Sequence, residues 1–214
     1  MKKNSLHKNQ LVDMPVFPSF RYVEPLTRNK KVLDLGCGVG RYLEKFSQAS
    51  VGIDQSVANI NQCRKRGLTV LKANLNKKLP LQKEEFEVVF ASHIIEHLDS
   101  PLNFLKESNR VLEEKGIIIL GLPIEKSLAR ILGDHYFKDH PDHLYGFSIE
   151  TMKSLLHLAG FSLEEVYLDL NLVGRLPFLN FLLDLVNRLP LCLVIWWSNA
   201  VWIVARKNDK IQAC

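Results

Sequence analysis

The sequence is poor in cysteine: its 214 residues hold four, Cys37, Cys63, Cys192 and Cys214. They show no paired spacing, no CxxC and no Cys/His zinc pattern, so neither a disulfide framework nor a structural zinc module is expected. The charged start has no apolar stretch behind it, which gives no sign of a secretory signal. Free thiols without an export signal predict a cytoplasmic protein. Internal repeats and low-complexity tracts are lacking. Long apolar runs are scarce as well. Residues 189–205 carry no charge over 17 residues, the lower limit for a bilayer span, but Pro190, Ser198 and Asn199 interrupt them. Their second half reads better as a buried final strand.

A basic surplus is also missing from most of the chain. The net charge is +5, and residues 1–31 account for all of it, with seven Lys/Arg (Lys2, Lys3, Lys8, Arg21, Arg28, Lys30, Lys31) against Asp13 and Glu24. The other 183 residues hold 21 basic and 21 acidic side chains, so nothing there is suited to grip a phosphate backbone. The N-terminal segment reads as a solvated basic arm, or as a weak contact for an anionic partner.

What is present is an apolar fraction of 47% with 24% charge, which suits one α/β domain with a substantial core. Strands and helices alternate from residue 31 to about 170. Strands are expected at Lys31–Leu35, Val51–Ile53, Thr69–Leu71, Phe86–Ala91, Ile117–Leu122, Leu163–Leu170 and Ala200–Ala205. Phe86–Ala91 is apolar enough to be buried on both faces. Val39, Leu43 and Phe46 recur at helical spacing. Ser56, Ser100 with Pro101, and Ser148 are helix starts, and the Ser100 helix is expected to run to Lys115-Gly116.

The chemistry sits after the first strand, in Val32-Leu33-Asp34-Leu35-Gly36-Cys37-Gly38-Val39-Gly40. Glycines there let the backbone turn sharply and let a ligand lie against bare main chain, with the amides of a following helix facing it. The spacing is G-x-G-x-G, and Arg41 stands where a dinucleotide fingerprint wants a small residue. Asp34 can attract a cation and would repel a pyrophosphate. Asp54, ending the second strand and followed by Gln55, can accept ribose hydroxyls. One acid at each end of a crevice suits a ligand with a ribose at one end and a positive group at the other.

On these residues the sequence resembles the class I methyltransferase superfamily, especially its small bacterial quinone- and polysaccharide-modifying members. The resemblance spans about residues 30–205. It is carried by VLDLGCGVGRYL, GIDQS, KANLNKKLPL, FEVVFASHIIEHLDSP, NRVLEEKGIIILGLP and DHLYGFSIETMKSLLHLAGF. It implies a Rossmann-like sheet of seven mostly parallel strands with helices on both faces and the last strand antiparallel. It implies S-adenosylmethionine as cofactor. Asp34, Gly36, Cys37, Gly38 and Gly40 would cradle its methionine and ribose end, and Asp54 and Gln55 would hold the ribose. Asn74, where the family usually has Asp, and Leu75 would meet the adenine. Ser92 would line the transfer centre. The organisation expected is a basic arm or helix over 1–29, the methyltransferase domain over 30–207, and a tail over 208–214. Residues 124–147 and 171–199 would be acceptor-side insertions or a lid.

Methyl transfer asks mainly for alignment, so no fixed catalytic residue is required. A general base helps a hydroxyl or protonated amine, and His97 and His143 are the candidates, each equally readable as a structural histidine. The cluster His135, Asp139, His140, Asp142, His143 has metal-ligating residue types, but its spacing matches no standard site, so no metal is expected. Phe178, Phe181, Leu182, Leu185 and Leu189 predict an amphipathic helix over 178–189. It can pack on its own domain, or rest on the inner membrane face and admit a lipid-linked substrate. Nucleic-acid methylation is disfavoured: ASHIIEHL lacks an Asn/Asp-Pro-Pro-aromatic motif, and no Pro-Cys pair exists. The expected activity is methyl transfer to a small-molecule, lipid-linked or sugar acceptor. The alternative is a non-catalytic S-adenosylmethionine-binding regulator.

Overall fold

The computed structural model describes residues 17–123, 143–169, 180–189, 198 and 200–208. Its frame is a seven-stranded sheet of β1 (Val32–Leu35), β2 (Val51–Asp54), β3 (Val70–Lys72), β4 (Phe86–Ser92), β5 (Leu112–Pro123), β6 (Phe161–Asp169) and β7 (Ala200–Lys207). The strand order is β3-β2-β1-β4-β5-β7-β6. The first five strands pair in parallel, and β7 runs antiparallel between β5 and β6. The expected sheet is therefore the one observed. Its winding reverses between β1 and β4, and open α/β sheets bind ligands at such a point, beyond the strands' C-terminal ends.

The helices are α1 (Phe20–Thr27), α2 (Val57–Lys65), α3 (Pro101–Val111), α4 (Ile149–Leu158) and α5 (Asn180–Val186). The three predicted serine caps are real: Ser56, Ser100 and Ser148 accept the amides of Asn59, Asn103 and Thr151. Two apolar clusters cover the sheet's faces. One is built on Leu33, Leu35, Val89, Ile118 and Ile203, the other on Val32, Val88, Phe90, Ile119 and Trp202.

Three local expectations give way to tertiary context. The helix at Val39–Phe46 shrinks to a 3₁₀ turn at Leu43–Lys45, because Gly40 has a left-handed φ of 82° and the chain must reach β2 by Val51. The Ser100 helix stops at Val111, not Lys115. Leu112 instead pairs with Phe86, and Lys115 turns left-handed at a φ of 61°. Finally, the part of the basic arm from Phe17 onward is built into the domain. Phe20 and Val23 of α1 are buried against the sheet, and the Trp202 indole donates to Ser19 Oγ at 2.8 Å. Residues 1–16 lie outside the described residues, as do the proposed insertions and tail at 124–142, 171–179, 190–197, 199 and 209–214.

Candidate functional site

A cavity of about 350 Å³ opens at the sheet's reversal, walled by Asp34 and the glycine loop on one side and by Ser92, His93, His97 and His143 on the other. The loop's conformation follows from its contacts. Gly36 has a φ of 76°, and a Cβ there would meet the Ile94 side chain at 2.7 Å. Gly38, with a φ of 56°, would place a Cβ against nothing within 4 Å. The first glycine thus serves close packing, and the second leaves bare backbone facing open space.

The loop amides are committed to β2. The N–H groups of Gly36 and Cys37 donate to Ile53 O at 2.8 and 3.0 Å, and that of Gly38 donates to Asp54 Oδ2 at 2.9 Å. A 3₁₀ turn, rather than the expected helix N-terminus, follows the loop. The electrostatics rest on Asp34. Its side chain is buried, and one carboxylate oxygen, Oδ2, has no hydrogen-bond partner. Burial raises its pKa to about 8, with electrostatic interactions with Cys63 and Asp54 adding to the rise. Cys37 and Cys63 are buried free thiols, and a hydrogen bond shared with Cys63, together with burial, pushes the Cys37 thiol up. A thiol held neutral in this way packs as a small apolar group rather than acting as a nucleophile.

The facing wall is anchored by the end of β4 and the 3₁₀ turn Ile95–His97. His93 takes a left-handed φ of 52°, donates its amide to Gly121 O at 2.8 Å, and packs tilted against the Phe17 ring with centroids 5.2 Å apart. A non-glycine residue held there is strained, and such strain is commonly retained at functional sites. The His97 and His143 rings meet edge to face with centroids 4.7 Å apart. The amides of Leu144 and Tyr145 donate to the Glu96 carbonyl at 2.8 and 3.3 Å, which ties the His143 segment to this turn.

Of the predicted residues, Asp34, Gly36, Cys37, Gly38, Ser92, His97 and His143 line this cavity, whereas Gly40, Asp54, Gln55, Asn74 and Leu75 do not. Asp54 stands behind the loop: besides Gly38, it accepts from Ser56 N at 2.7 Å. Asn74 spends its side-chain oxygen on its own turn, accepting from Asn76 N at 2.9 Å. Gln55 is exposed, and Leu75 packs against the core. Sequence reasoning missed Phe17, Tyr42, Asn59 and His93. His93 was readable from its place beside Ser92 at the strand end, and Asn59 from its place in the first turn after Asp54. Phe17 had no local signal. His135, Asp139, His140 and Asp142 lie outside the described residues.

Comparison with known proteins agrees with this geometry. Residues 33–120 match the family described as a methyltransferase domain. A ubiquinone biosynthesis O-methyltransferase of Pelagibacter ubique is 31% identical over 119 residues, covering 51% of this chain and 50% of that protein. A tRNA U34 carboxymethyltransferase of Desulfotalea psychrophila is 30% identical, covering 68% of this chain and 49% of that protein. The chain spans about half the length of the curated relatives it matches. The crystal structure of a SAM-dependent methyltransferase from Archaeoglobus fulgidus shares the fold, with a TM-score of 0.65 at 24% identity, covering 94% of this chain and 93% of that one. Residues 33–120 thus carry a methyltransferase domain, and the remaining strands complete a sheet of the fold that S-adenosylmethionine-dependent methyltransferases share.

Proposed function

We propose that the chain transfers a methyl group from S-adenosylmethionine to a small-molecule, lipid-linked or sugar acceptor held beside His97 and His143. The observation that carries this reading is the partnerless Asp34 oxygen beside the open Gly38 backbone, in a cavity that continues to Ser92 and the histidines. These residues fit the cofactor. Asp34 would meet its ammonium group, Gly36 and Gly38 would lie against its backbone-like portion, and Asp54 would accept ribose hydroxyls in place of its two long 3.4 Å bonds from the Asn59 amide. Asn74 and Leu75 would stand on the adenine side. When bound, the cofactor supplies a methyl on a sulfonium whose leaving group becomes neutral, so the reaction needs alignment more than activation. Orientation alone contributes about 7–11 kcal/mol in favourable cases. A histidine that removes the acceptor's proton adds about 10²–10⁴-fold.

Calorimetry with the methylated and demethylated cofactors should give heat for both, and acceptor screening should show cofactor consumption. Tight binding without turnover on any phenolic, lipid-linked or sugar acceptor favours the regulatory alternative. His143→Ala is expected to slow turnover about 100-fold with cofactor affinity unchanged. Unchanged turnover and acceptor affinity would remove its acceptor role.

The lipid-linked option draws on α5. Phe181 and Leu185, exposed at 62 and 53%, lie four residues apart on one face of α5, which ends at Val186 rather than at the expected 189; Leu189, 43% exposed, follows it. The segment is held down by Asp184, which accepts from Arg21 Nη2 at 2.8 Å and from the Tyr22 hydroxyl at 2.6 Å. No helix among the described residues is long and apolar enough to cross a membrane. A peripheral contact through 178–189 predicts co-sedimentation with liposomes that is lost in Phe181→Ser/Leu185→Ser. Sedimentation that the double substitution leaves intact would exclude α5 as the contact. Phe178 lies outside the described residues.

A further inference from the structure

We propose that Glu96, His97 and His143 bind a divalent transition-metal ion of the zinc type on the acceptor wall of the cavity. One ligand atom from each residue lies within 4.8 Å of the other two. Around one zinc ion, at about 2.0–2.2 Å per ligand, donors sit about 3–3.5 Å apart, so side-chain rotations of about an ångström close the set. The spacing rule missed it because His143 comes 46 residues after His97 and is brought back by tertiary contacts such as the Leu144 and Tyr145 bonds to Glu96.

Glu96 is the second, independent observation. Its side chain is 0% exposed, and neither carboxylate oxygen has a hydrogen-bond partner. The group the structure sets beside it is the His93 ring, with Nδ1 3.6 Å from Oε1. Burying a carboxylate without compensation costs several kcal/mol, and native proteins rarely leave one so. A cation shared with two imidazoles satisfies both oxygens. The donor set selects its chemistry: imidazole and carboxylate without thiolate suit zinc and its neighbours, whereas magnesium and calcium prefer all-oxygen cages. His93 can then steady the carboxylate from the far side.

Three protein donors leave a coordination position open toward the cavity. An acceptor hydroxyl there would lose its proton to water more readily. The O–CH₃ bond then forms as the CH₃–S bond breaks. This consequence rests on the methyl-transfer reading; the ion site does not. It also recasts His97 and His143 as ion holders rather than free bases, so chelation should abolish turnover.

The test titrates the EDTA-stripped full chain with Co²⁺, read by visible absorption, and with Zn²⁺, read by calorimetry. One ion per chain is expected. Glu96→Gln and His143→Ala should each weaken binding at least about tenfold, while His157→Ala, exposed on α4, should not. Thermal melts check folding. If Glu96→Gln fails to fold, His97→Ala takes its place. Absence of binding overturns the proposal. So does binding that survives Glu96→Gln and His143→Ala, including binding lost only when His135 and His140 are replaced. Cofactor calorimetry on the same protein separates the two readings: cofactor heat without ion binding sinks only the ion, and ion binding without cofactor heat sinks only methyl transfer.

Discussion

Replacing Asp34 by Asn is expected to lower affinity for S-adenosylmethionine at least about 100-fold while making the empty protein more stable at alkaline pH. Both effects come from one buried carboxylate. Asp34 ionises at about 8 in the folded protein against an ordinary 3.8, chiefly because burial penalises its charge. Below pH 3.8 the folded and unfolded chains both hold the proton, so the group costs nothing there. Between that pH and about 8 the folded chain retains a proton that the unfolded chain has released. Stability therefore falls as pH rises across this window and levels off above it. Asparagine cannot ionise and removes that slope. Its amide oxygen can still accept the Leu43 backbone N–H that Asp34 accepts.

Thermal unfolding should accordingly show the variant and parent converging near pH 4 and the variant ahead by a few kcal/mol near pH 9. Calorimetry should show that parent affinity rises with pH up to about 8, with proton release on binding below it. An Asp34→Asn variant that binds the cofactor as tightly as the parent, or that unfolds earlier at pH 9, would refute this account of the site.

Phe20→Ala should destabilise the domain by about 3–5 kcal/mol, the usual cost of emptying a buried aromatic position. Phe20 is 3% exposed and contacts four aromatic rings: Tyr42 at 5.0 Å, Phe90 at 6.0 Å, Trp202 at 6.1 Å and Phe46 at 6.4 Å between centroids. Its removal takes out the centre of a cluster joining α1, the loop after β1, β4 and β7. Urea unfolding followed by tryptophan fluorescence reads the effect, because Trp202 reports from the same cluster. A change below about 1 kcal/mol would mean that α1 is not docked. Phe17 is the next anchor along the chain and lines the cavity, so loosening α1 should also weaken the site.

Much of the frame was legible in the residues because its signals are local. FEVVFA must be buried on both faces, since no polar residue breaks its apolar side chains except Glu87, whose carboxylate accepts the Lys31 amide at 2.9 Å. Capping serines announce helix starts through a bond that spans three residues. The glycine triplet and the acids at 34 and 54 lie within one strand-turn-strand unit. What was illegible is non-local. Residues 39–46 carry helical spacing, yet Gly40 and the early start of β2 leave room for one 3₁₀ turn. Glu113-Glu114-Lys115 favour a helix, yet pairing of Leu112 with Phe86 draws the chain into β5.

The chain's own pattern thus determined most of the element types, the parallel part of the sheet and the glycine loop, because side-chain period and backbone turn chemistry act over a few residues. Only the tertiary structure decided that residues 17–27 belong to the core, and that Glu96, His97 and His143 share one wall with His93. It also decided that Asp54 secures the glycine loop from behind. These outcomes depend on contacts between residues far apart in sequence, whose entropy of closure is offset only once the whole sheet has formed.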